Sequence, residues 1–352
     1  MAVGGSSGAA PLALTMGDPA GIGLEVTLKA WQLRNGLSRA ADALSPFCLY
    51  GSAGAVRDRA RLLNLDVPVV EIASPADACT VFATALPVLD IALAEPAVAG
   101  QPSPRNAAAV ISAISRAVGD VHSGQARAVV TNPIAKSVLY SAGFKYPGHT
   151  EFLAALAGEH WPGRSYHPVM MIASDELKVI PLTIHVALAD VPRLVTGALI
   201  DQTVRITAEA LQRDFAIATP RIAVAGLNPH AGEDGTIGAE DRDCVIPALD
   251  ALRANGFDVS GPLSADTMFH AAARATYDAA ICMYHDQALI PVKTLAFDRG
   301  VNVTLGLPFV RTSPDHGTAF NIAGTGTASA QSLIEALKLA DAMSAARAAV
   351  AS

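Results

Sequence analysis

Short apolar runs alternate along this chain with segments whose apolar residues recur at helical spacing. The segment Ala55–Leu63 is helical in this sense, and strand-like runs flank it. The first three such runs are Leu12–Thr15, Pro46–Tyr50 and Val69–Ile72. Regular alternation of strands with helices is typical of α/β proteins that have a largely parallel sheet. The pattern therefore predicts an α/β fold.

A glycine-rich turn, Met16 to Gly23, follows the first apolar run and precedes a helix marked by Leu24, Leu28 and Trp31. A strand, a glycine-rich turn and a helix in this order can bind phosphate at the helix start. Neither the dinucleotide fingerprint nor the P-loop pattern fits these residues. Two interpretations stay open, namely a tight strand-to-helix connection and a turn that faces a ligand.

Several later apolar runs end where a polar or metal-capable residue follows. The run 128–130 leads to Thr131, 179–184 to His185, 222–225 through a short turn to His230, and 279–284 to His285. Ligands of open α/β sheets bind at the carboxyl ends of the strands. Three histidines at three strand ends therefore predict a metal site, because neutral imidazole is a common ligand of zinc and related metals. The alternative is that each histidine is separately hydrogen-bonded or exposed.

Two further segments favour anion binding. His149 and Thr150 lie at the start of a predicted helix, where they can cap the helix or leave its amides free for an anion. Lys293, Asn302 and Arg311 lie among turn-forming residues in the segment 284–326. These side chains can bind phosphate or carboxylate oxygens, although solvated surface charge is the usual role of such residues.

Composition narrows the class of protein. A chain of 352 residues exceeds one typical core, so we expect two domains. A net charge of −7 argues against nucleic acid and anionic membranes as main partners. The four cysteines form no CxxC pair, which is typical of reduced thiols. We find no signal peptide and no apolar run of about 20 residues, and expect a soluble cytoplasmic protein.

Eight motifs resemble one family over nearly the whole chain, the 4-hydroxythreonine-4-phosphate dehydrogenases of pyridoxal 5'-phosphate biosynthesis. They are TMGDPAGIG at 15–23, TNPIAK at 131–136, YPGHTEFLA at 146–154, LNPHAGEDGTIG at 227–238, GPLSADTMF at 261–269, MYHDQALIPVK at 283–293, GVNVTLGLPF at 300–309 and RTSPDHGTAF at 311–320. The resemblance implies two α/β/α domains with a cleft between them, as in isopropylmalate dehydrogenase. The first domain would combine 1–127 with 300–352, and the second would span 128–299.

The resemblance also implies the site residues. One divalent metal (zinc, magnesium or cobalt) would be held by His185 and His230 of one subunit and His285 of its partner, in a homodimer with shared active sites. Lys293 and Asp266 are the candidate catalytic residues, and two roles stay open for Lys293, namely relaying a proton and binding an anionic substrate group. The substrate-binding positions are His149, Thr150, Lys293, Asn302 and Arg311.

The implied reaction is the oxidation of 4-(phosphooxy)-L-threonine by NAD or NADP, followed by decarboxylation to 3-amino-2-oxopropyl phosphate. The implied cofactor loop contains His316, Gly317, Thr318 and Asn321. Many relatives carry aspartate where this chain has Asn321. An aspartate repels the 2'-phosphate of NADP, so the neutral Asn321 predicts appreciable use of NADP.

Three other functions use the same residue types. A paralogous dehydrogenase would oxidise D-threonate or D-erythronate 4-phosphate with the same machinery. A metal-dependent phosphatase would release phosphate without a nucleotide. A non-catalytic binder of sugar phosphates would bind tightly without turnover.

Overall fold

The computed structural model describes residues 10–35, 43–146 and 148–351, so Pro147 of the motif at 146–154 lies outside the described residues. The strand-like runs of the sequence are strands, with ends within one residue of those expected. In chain order the strands are β1 (Leu12–Thr15), β2 (Phe47–Gly51), β3 (Val69–Glu71), β4 (Leu86–Asp90), β5 (Val129–Thr131), β6 (Val169–Ala173), β7 (Lys178–Thr183), β8 (Arg221–Ala225), β9 (Asp258–Leu263), β10 (Ala279–Tyr284), β11 (Val301–Leu305) and β12 (Arg311–Pro314).

Helices separate most of these strands, which confirms the predicted α/β class. Three of them are single turns of four residues. The helices are α1 (Gly23–Gln32), α2 (Ala53–Leu62), α3 (Ala78–Val81), α4 (Ala107–His122), α5 (Lys136–Ser141), α6 (His149–His160), α7 (Val191–Leu194), α8 (Gly197–Phe215), α9 (Ile246–Ala254), α10 (Ala271–Arg274), α11 (His285–Ala296) and α12 (Gln331–Ala351). Within the described residues, none of these helices has the length and apolar character needed to cross a membrane.

The first of two compact units comprises the described residues of 1–167 and 307–344. Its six strands are all parallel, in the order β3-β4-β2-β1-β5-β12. Every residue of β1 and β2 is buried. A parallel sheet with both faces covered needs continuous apolar strands, and the uninterrupted apolar runs of the sequence meet that need.

The second unit comprises the described residues of 168–306 and 345–352. Its strand order is β11-β6-β7-β10-β8-β9, in which β7, β10, β8 and β9 are parallel. The antiparallel pairs are β11 with β6 and β6 with β7. Its core includes Ile172, Val179, Ala223 and Ala280, all fully buried. The parallel strands place the carboxyl ends of β7, β10 and β8 side by side.

The first division between the units falls after residue 167, whereas the resemblance implied a boundary after residue 127. The cause is strand pairing, because β5 lies between β1 and β12 and belongs to the first sheet. Helix α6 also packs against α4 of the same unit. The chain returns at residue 307, where residue 300 was expected, because β11 pairs with β6 of the second unit.

Candidate active site

Two of the three strand-end histidines lie close together in the second unit. His185 follows β7 by two residues, and His285 follows β10 directly as the first residue of α11. These strands are parallel neighbours, with Tyr284 opposite Thr183. The ring centroids of His185 and His285 are 5.8 Å apart. Adjacent strand ends thus bring together two imidazoles that lie 100 positions apart in the sequence.

The ring of His285 is oriented by its neighbour. Its Nδ1 lies 2.7 Å from Oδ1 of Asp286. A carboxylate at one ring nitrogen favours the tautomer whose other nitrogen is free to bind a metal. The structure thus gives Asp286 an orienting contact with the imidazole of His285.

Hydrogen bonds between side chains and backbone join the three strand ends. The Thr183 hydroxyl donates to the carbonyl oxygen of Met283 at 2.7 Å. Gln287 accepts from the Met283 amide at 2.7 Å and donates to the carbonyl oxygen of Gly226 at 2.9 Å. Gly226 directly follows β8, so the segments that carry all three histidines are tied to one another.

His230 lies on an irregular turn after β8. Its side chain is exposed, and its backbone is left-handed, with φ at 52°. Within the described part of the chain, no group of three or more His, Cys, Asp or Glu side chains is arranged to hold a metal. The structure therefore pairs His185 with His285 and does not bring His230 into a three-ligand group with them.

Imidazole donors suit zinc and cobalt, and the His185–His285 pair fits a divalent metal in its chemistry. Both rings are accessible, since His185 is exposed and the His285 side chain is 37% exposed. The ring nitrogen of His285 that faces Asp286 has the carboxylate partner that metal-binding histidines commonly have. The donors present thus agree with the metal implied by the resemblance.

The remaining site residues of the second unit are placed as follows. Asp266 is exposed after β9, and the hydroxyl of Ser264 donates to its carboxylate. This hydrogen bond is the main cause of a lowered pKa for Asp266. The carboxylate is therefore ionised at neutral pH, and the lowered pKa makes it a weaker base. Lys293 in α11 and Asn302 in β11 are half-buried.

The first unit holds a separate cationic cluster. Arg311, the first residue of β12, is only 5% exposed and donates from Nη2 to the Thr131 hydroxyl at 2.7 Å. Burial lowers the pKa of Arg311 to about 10, so the guanidinium stays charged at neutral pH. Thr131 ends β5, which lies beside β12. The strand pairing thus fixes a buried charge at a defined position.

His149 opens α6 near this charge. Its Nε2 atom is buried and has no hydrogen-bond partner among the described residues. Burial, and then the charges of Arg311 and Lys136, hold the pKa of His149 well below its usual value. The imidazole is therefore neutral at pH 7. Thr150 is half-buried in the same first turn.

Lys136 is a nearby cation that the site assignment from the sequence missed. A Cβ added to Gly148, the residue before α6, would lie 3.2 Å from Lys136 Nζ and 2.8 Å from Glu151 Oε2. Gly148 provides no side-chain cap for the helix. Uncapped amides beside cations favour an anion at this helix start. The available signal was the position of Lys136 at the end of the TNPIAK motif.

The glycine-rich turn Met16 to Gly23 supports the expected cofactor loop. The amide of Ile22 donates to the carbonyl oxygen of Thr318 at 3.0 Å, and a Cβ on Gly21 would lie 2.9 Å from the same oxygen. All residues of the turn are buried. Burial favours the tight connection over a ligand-facing turn, and the close approach explains the glycine.

Helix α1 holds the chain just after this loop. Glu25 is fully buried and accepts hydrogen bonds from the amides of Gly324 at 3.0 Å and Ala328 at 3.3 Å. Lys29 pairs with Glu25 at 3.2 Å and donates to two carbonyl oxygens of the same segment. The sequence did not single out Glu25, and the available signal was an acid in the first turn of the helix with Lys29 four residues later.

Within the loop itself, His316 and Asn321 differ in exposure. Nδ1 of His316 lies 3.0 Å from the carbonyl oxygen of Gly317, and its Nε2 is buried with no hydrogen-bond partner among the described residues. Asn321 is exposed in the short turn Phe320–Ile322. Gly317 is exposed and Thr318 is half-buried. The loop thus presents Asn321 to solvent, where a ligand can reach it.

Comparison with known proteins agrees with these motifs. The profile of the family described as "Pyridoxal phosphate biosynthetic protein PdxA" matches residues 43–340. A protein of Methylorubrum extorquens named 4-hydroxythreonine-4-phosphate dehydrogenase is 57% identical over 332 residues, which cover 94% of this chain and 93% of the relative. A protein of the same name from Bradyrhizobium diazoefficiens is 55% identical over 349 residues, which cover 96% and 98%.

A solved structure is also similar. The crystal structure of 4-hydroxythreonine-4-phosphate dehydrogenase from Klebsiella pneumoniae superposes with a TM-score of 0.83 at 36% identity, covering 95% of this chain and 99% of that chain. The sequence identity, the coverage and the fold agree with one another. This chain therefore belongs to the PdxA family of pyridoxal phosphate biosynthetic proteins.

Proposed function

We propose that this chain oxidises 4-(phosphooxy)-L-threonine with NAD or NADP. The product, 2-amino-3-oxo-4-(phosphooxy)butanoate, then loses CO2 to give 3-amino-2-oxopropyl phosphate. The observation that carries this proposal is the 57% identity to a 4-hydroxythreonine-4-phosphate dehydrogenase, in a chain whose accessible His185, His230 and His285 follow three neighbouring parallel strands. Cys48, Cys244 and Cys282 are free thiols, which supports a reducing compartment, the cytoplasm, as the place of reaction.

The metal ligands of the proposal are His185, His230 and the partner's His285, with zinc, magnesium or cobalt as the metal. A divalent metal supplies Lewis acidity, which lowers the pKa of a bound hydroxyl and polarises a ketone. The protein orients the imidazoles, since Asp286 holds the ring of His285 and the hydrogen bonds of Gln287 tie its helix to the turn after β8.

A homodimer is the proposed assembly, and the exposed apolar surface of the second unit supports it. Leu188 is 69% exposed shortly after His185, while Ile290 and Phe297 are 65% and 75% exposed in and just after α11. Burial of exposed apolar side chains against a partner is favourable. These residues lie within a few positions or turns of His185 and His285, so a second subunit bound there would lie close to the histidines.

The substrate's anionic groups are assigned to Arg311, His149, Thr150, Lys293 and Asn302. Arg311 is held in place by Thr131, so little side-chain freedom is lost when it binds an oxyanion. The neutral His149 contributes a hydrogen bond from one ring nitrogen and contributes no charge. Lys293 binds an anionic group or relays a proton, and Asp266 is a candidate proton acceptor with a lowered pKa.

The nicotinamide cofactor is assigned to the loop with His316, Gly317, Thr318 and Asn321. Helix α1 keeps this part of the chain in place through Glu25 and Lys29. The protein's role is to fix the cofactor so that hydride transfer from the substrate carbon is geometrically possible. The exposed, neutral Asn321 accepts a 2'-phosphate without charge repulsion, so NADP is used as well as NAD.

A substrate panel with a divalent metal tests the proposal. We expect reduced-nicotinamide absorbance with 4-(phosphooxy)-L-threonine, and much weaker absorbance with D-threonate or D-erythronate 4-phosphate. A preference for the latter two would assign the chain to a paralogous dehydrogenase. Phosphate release without nucleotide would indicate a phosphatase, and binding without turnover a non-catalytic protein.

A further inference from the structure

The turn that carries His230 has an uncommon backbone. The six residues from His230 to Gly235 all have positive φ angles, between 43° and 91°. Four of the six are not glycine, and left-handed conformations are unfavourable for such residues. A run of this kind persists only where the surrounding structure fixes it.

Asp241 makes the contacts that fix the turn from His230 to Gly235. Its side chain is fully buried. Oδ1 accepts a hydrogen bond from the Leu227 amide at 2.7 Å, and Oδ2 accepts from the Asn228 amide at 2.9 Å and from Asn228 Nδ2 at 3.0 Å. These bonds hold the two residues that lead directly into Pro229 and His230. The carboxylate therefore fixes the starting direction of the left-handed run.

Close backbone packing shows that the turn has little room to move. A Cβ on Gly226 would lie 2.7 Å from Cα of Ala231 and 3.2 Å from Oδ1 of Asp241. A Cβ on Gly238 would lie 2.7 Å from the amide nitrogen of the Asn228 side chain. The start and the end of the turn thus pack against Asp241 and Asn228, with glycine where the contact is tightest.

The chemistry of Asp241 is unusual for a residue with only a packing role. Among the described residues, Asp241 forms no ion pair with Lys, Arg or His, although its side chain is buried. Burying a carboxylate is unfavourable unless hydrogen bonds compensate it. Here the compensation comes wholly from the residues that precede His230.

We propose that Asp241 is a positioning residue for His230: its hydrogen bonds to Leu227 and Asn228 fix the left-handed turn that presents the imidazole to the metal. The inference rests on the proposed function of His230. A turn that is already fixed does not have to become ordered when metal binds, so Asp241 raises metal affinity without contacting the metal. Removal of such indirect support typically weakens metal binding by about ten- to a hundredfold.

The test is metal titration of the full-length, chelator-treated protein with Zn²⁺ or Co²⁺, by calorimetry and by cobalt absorbance. Asp241→Asn replaces one accepting oxygen by a donor that faces backbone amides. We expect it to weaken metal binding about tenfold or more. The matched control is Asp243→Asn, which removes an equal charge from an exposed neighbour paired with Arg242. The control should bind metal within about twofold of the unchanged protein, as expected of a surface change.

A second variant keeps the test valid if Asp241→Asn does not fold. Asn228→Ala removes the side-chain donor to Asp241 and Glu240, keeps the backbone amides that Asp241 accepts from, and should weaken metal binding in the same direction. Amide hydrogen exchange at Leu227 and Asn228 should become faster in either variant, with melting temperature measured in parallel. A purely structural role predicts a lower melting temperature with unchanged metal affinity well below it, and that result overturns the inference.

His230→Ala separates the inference from the proposed function. If His230→Ala binds metal like the unchanged protein, the proposed metal site is wrong. If His230→Ala weakens binding while Asp241→Asn and Asn228→Ala do not, the site stands and the positioning role of Asp241 is refuted. Weaker binding in all three variants, with the Asp243→Asn control unchanged, supports both.

Discussion

At the scale of single residues, His149 shows how burial sets a protonation state. Burial of its ring, and then the neighbouring charges of Arg311 and Lys136, keep the pKa of His149 well below its usual value. The neutral imidazole and the charged guanidinium can therefore lie together in the first unit without repulsion. An anion that binds there meets the charges of Arg311 and Lys136 and one neutral hydrogen-bond donor.

This protonation state predicts a pH dependence of stability. The pKa of His149 is near 6.5 in the unfolded chain and lower in the folded chain, so below pH 6.5 the unfolded state binds more protons. Stability is thus unaffected by His149 above pH 6.5 and falls as the pH drops towards the folded pKa. The slope contributed by this residue is at most about 1.4 kcal/mol per pH unit.

His149→Gln should remove that slope. Urea unfolding at a series of pH values from about 7 down to 5 measures it. The exposed His167 supplies the matched control, since His167→Gln makes the same substitution at the surface and leaves His149 in place. Equal slopes in the His149→Gln and unchanged proteins would contradict the buried, neutral imidazole.

The preference for NAD or NADP can be tested by a single substitution at Asn321. Asn321→Asp places a negative charge at an exposed position of the loop, where it repels a 2'-phosphate. We expect kcat/KM with NADP to fall about tenfold relative to NAD, which corresponds to about 1.4 kcal/mol. Steady-state kinetics with both cofactors measure this ratio. Asn321→Ala is the control, because it removes hydrogen bonding without adding charge and should affect both cofactors alike.

At the scale of elements, strand ends were predictable and turns were not. Strands β7 and β10 are short, mostly apolar runs, so the positions of His185 and His285 after them followed from the sequence. The left-handed turn at His230 depends on Asp241, eleven residues later, and no local pattern reports that contact. Buried acids such as Asp241 and Glu25 look like surface residues until their backbone partners are known.

Helix α1 is expected to stabilise the segment that follows the cofactor loop. Glu25→Ala removes the acceptor for the amides of Gly324 and Ala328 and the partner of Lys29. Because these groups lose buried partners, we expect a loss of about 2–4 kcal/mol in the free energy of unfolding. Hydrogen exchange at Gly324 and Ala328 should become faster, and KM for the nicotinamide cofactor should rise.

The control for Glu25→Ala is metal binding, which should be unchanged since the histidines lie in the other unit. Glu25→Gln keeps one accepting oxygen and should show a smaller effect in the same direction. An unchanged KM for the cofactor in a destabilised Glu25→Ala protein would show that α1 supports the fold without influencing the cofactor loop.

For the whole molecule, the alternation of strands and helices gave the α/β class, but not the division of the chain. Residues 129–167 belong to the first unit because β5 pairs with β1 and β12, contacts between segments far apart in the sequence. The antiparallel pair of β6 with β11 likewise joins segments far apart in the sequence, whereas β6 and β7 are consecutive strands that pair locally. Pairing between distant segments determines the division into units and the strand order, whereas apolar runs predict only where strands form.

The proposed sharing of sites between subunits can be tested against ligation within one chain. His185 and His285 of one chain are 5.8 Å apart at the ring centroids, so ligation within one chain is the direct alternative to ligation by the partner's His285. A dimer of one His285→Ala subunit and one His230→Ala subunit distinguishes them. With shared sites, one site carries both substitutions and the other carries none. With ligation within one chain, each site carries one substitution, and neither binds metal fully.

Both singly substituted homodimers should be inactive under either arrangement, so any activity of the mixture comes from mixed dimers. Random reassembly of equal amounts makes about half of the dimers mixed, each with one intact site, so shared sites predict about a quarter of the unchanged protein's activity. Metal content should rise in parallel, because an intact site requires all three imidazoles on one metal ion. A mixture with proven subunit exchange that stays inactive would assign His285 to the same chain as His185, because only ligation within one chain leaves every site of a mixed dimer incomplete.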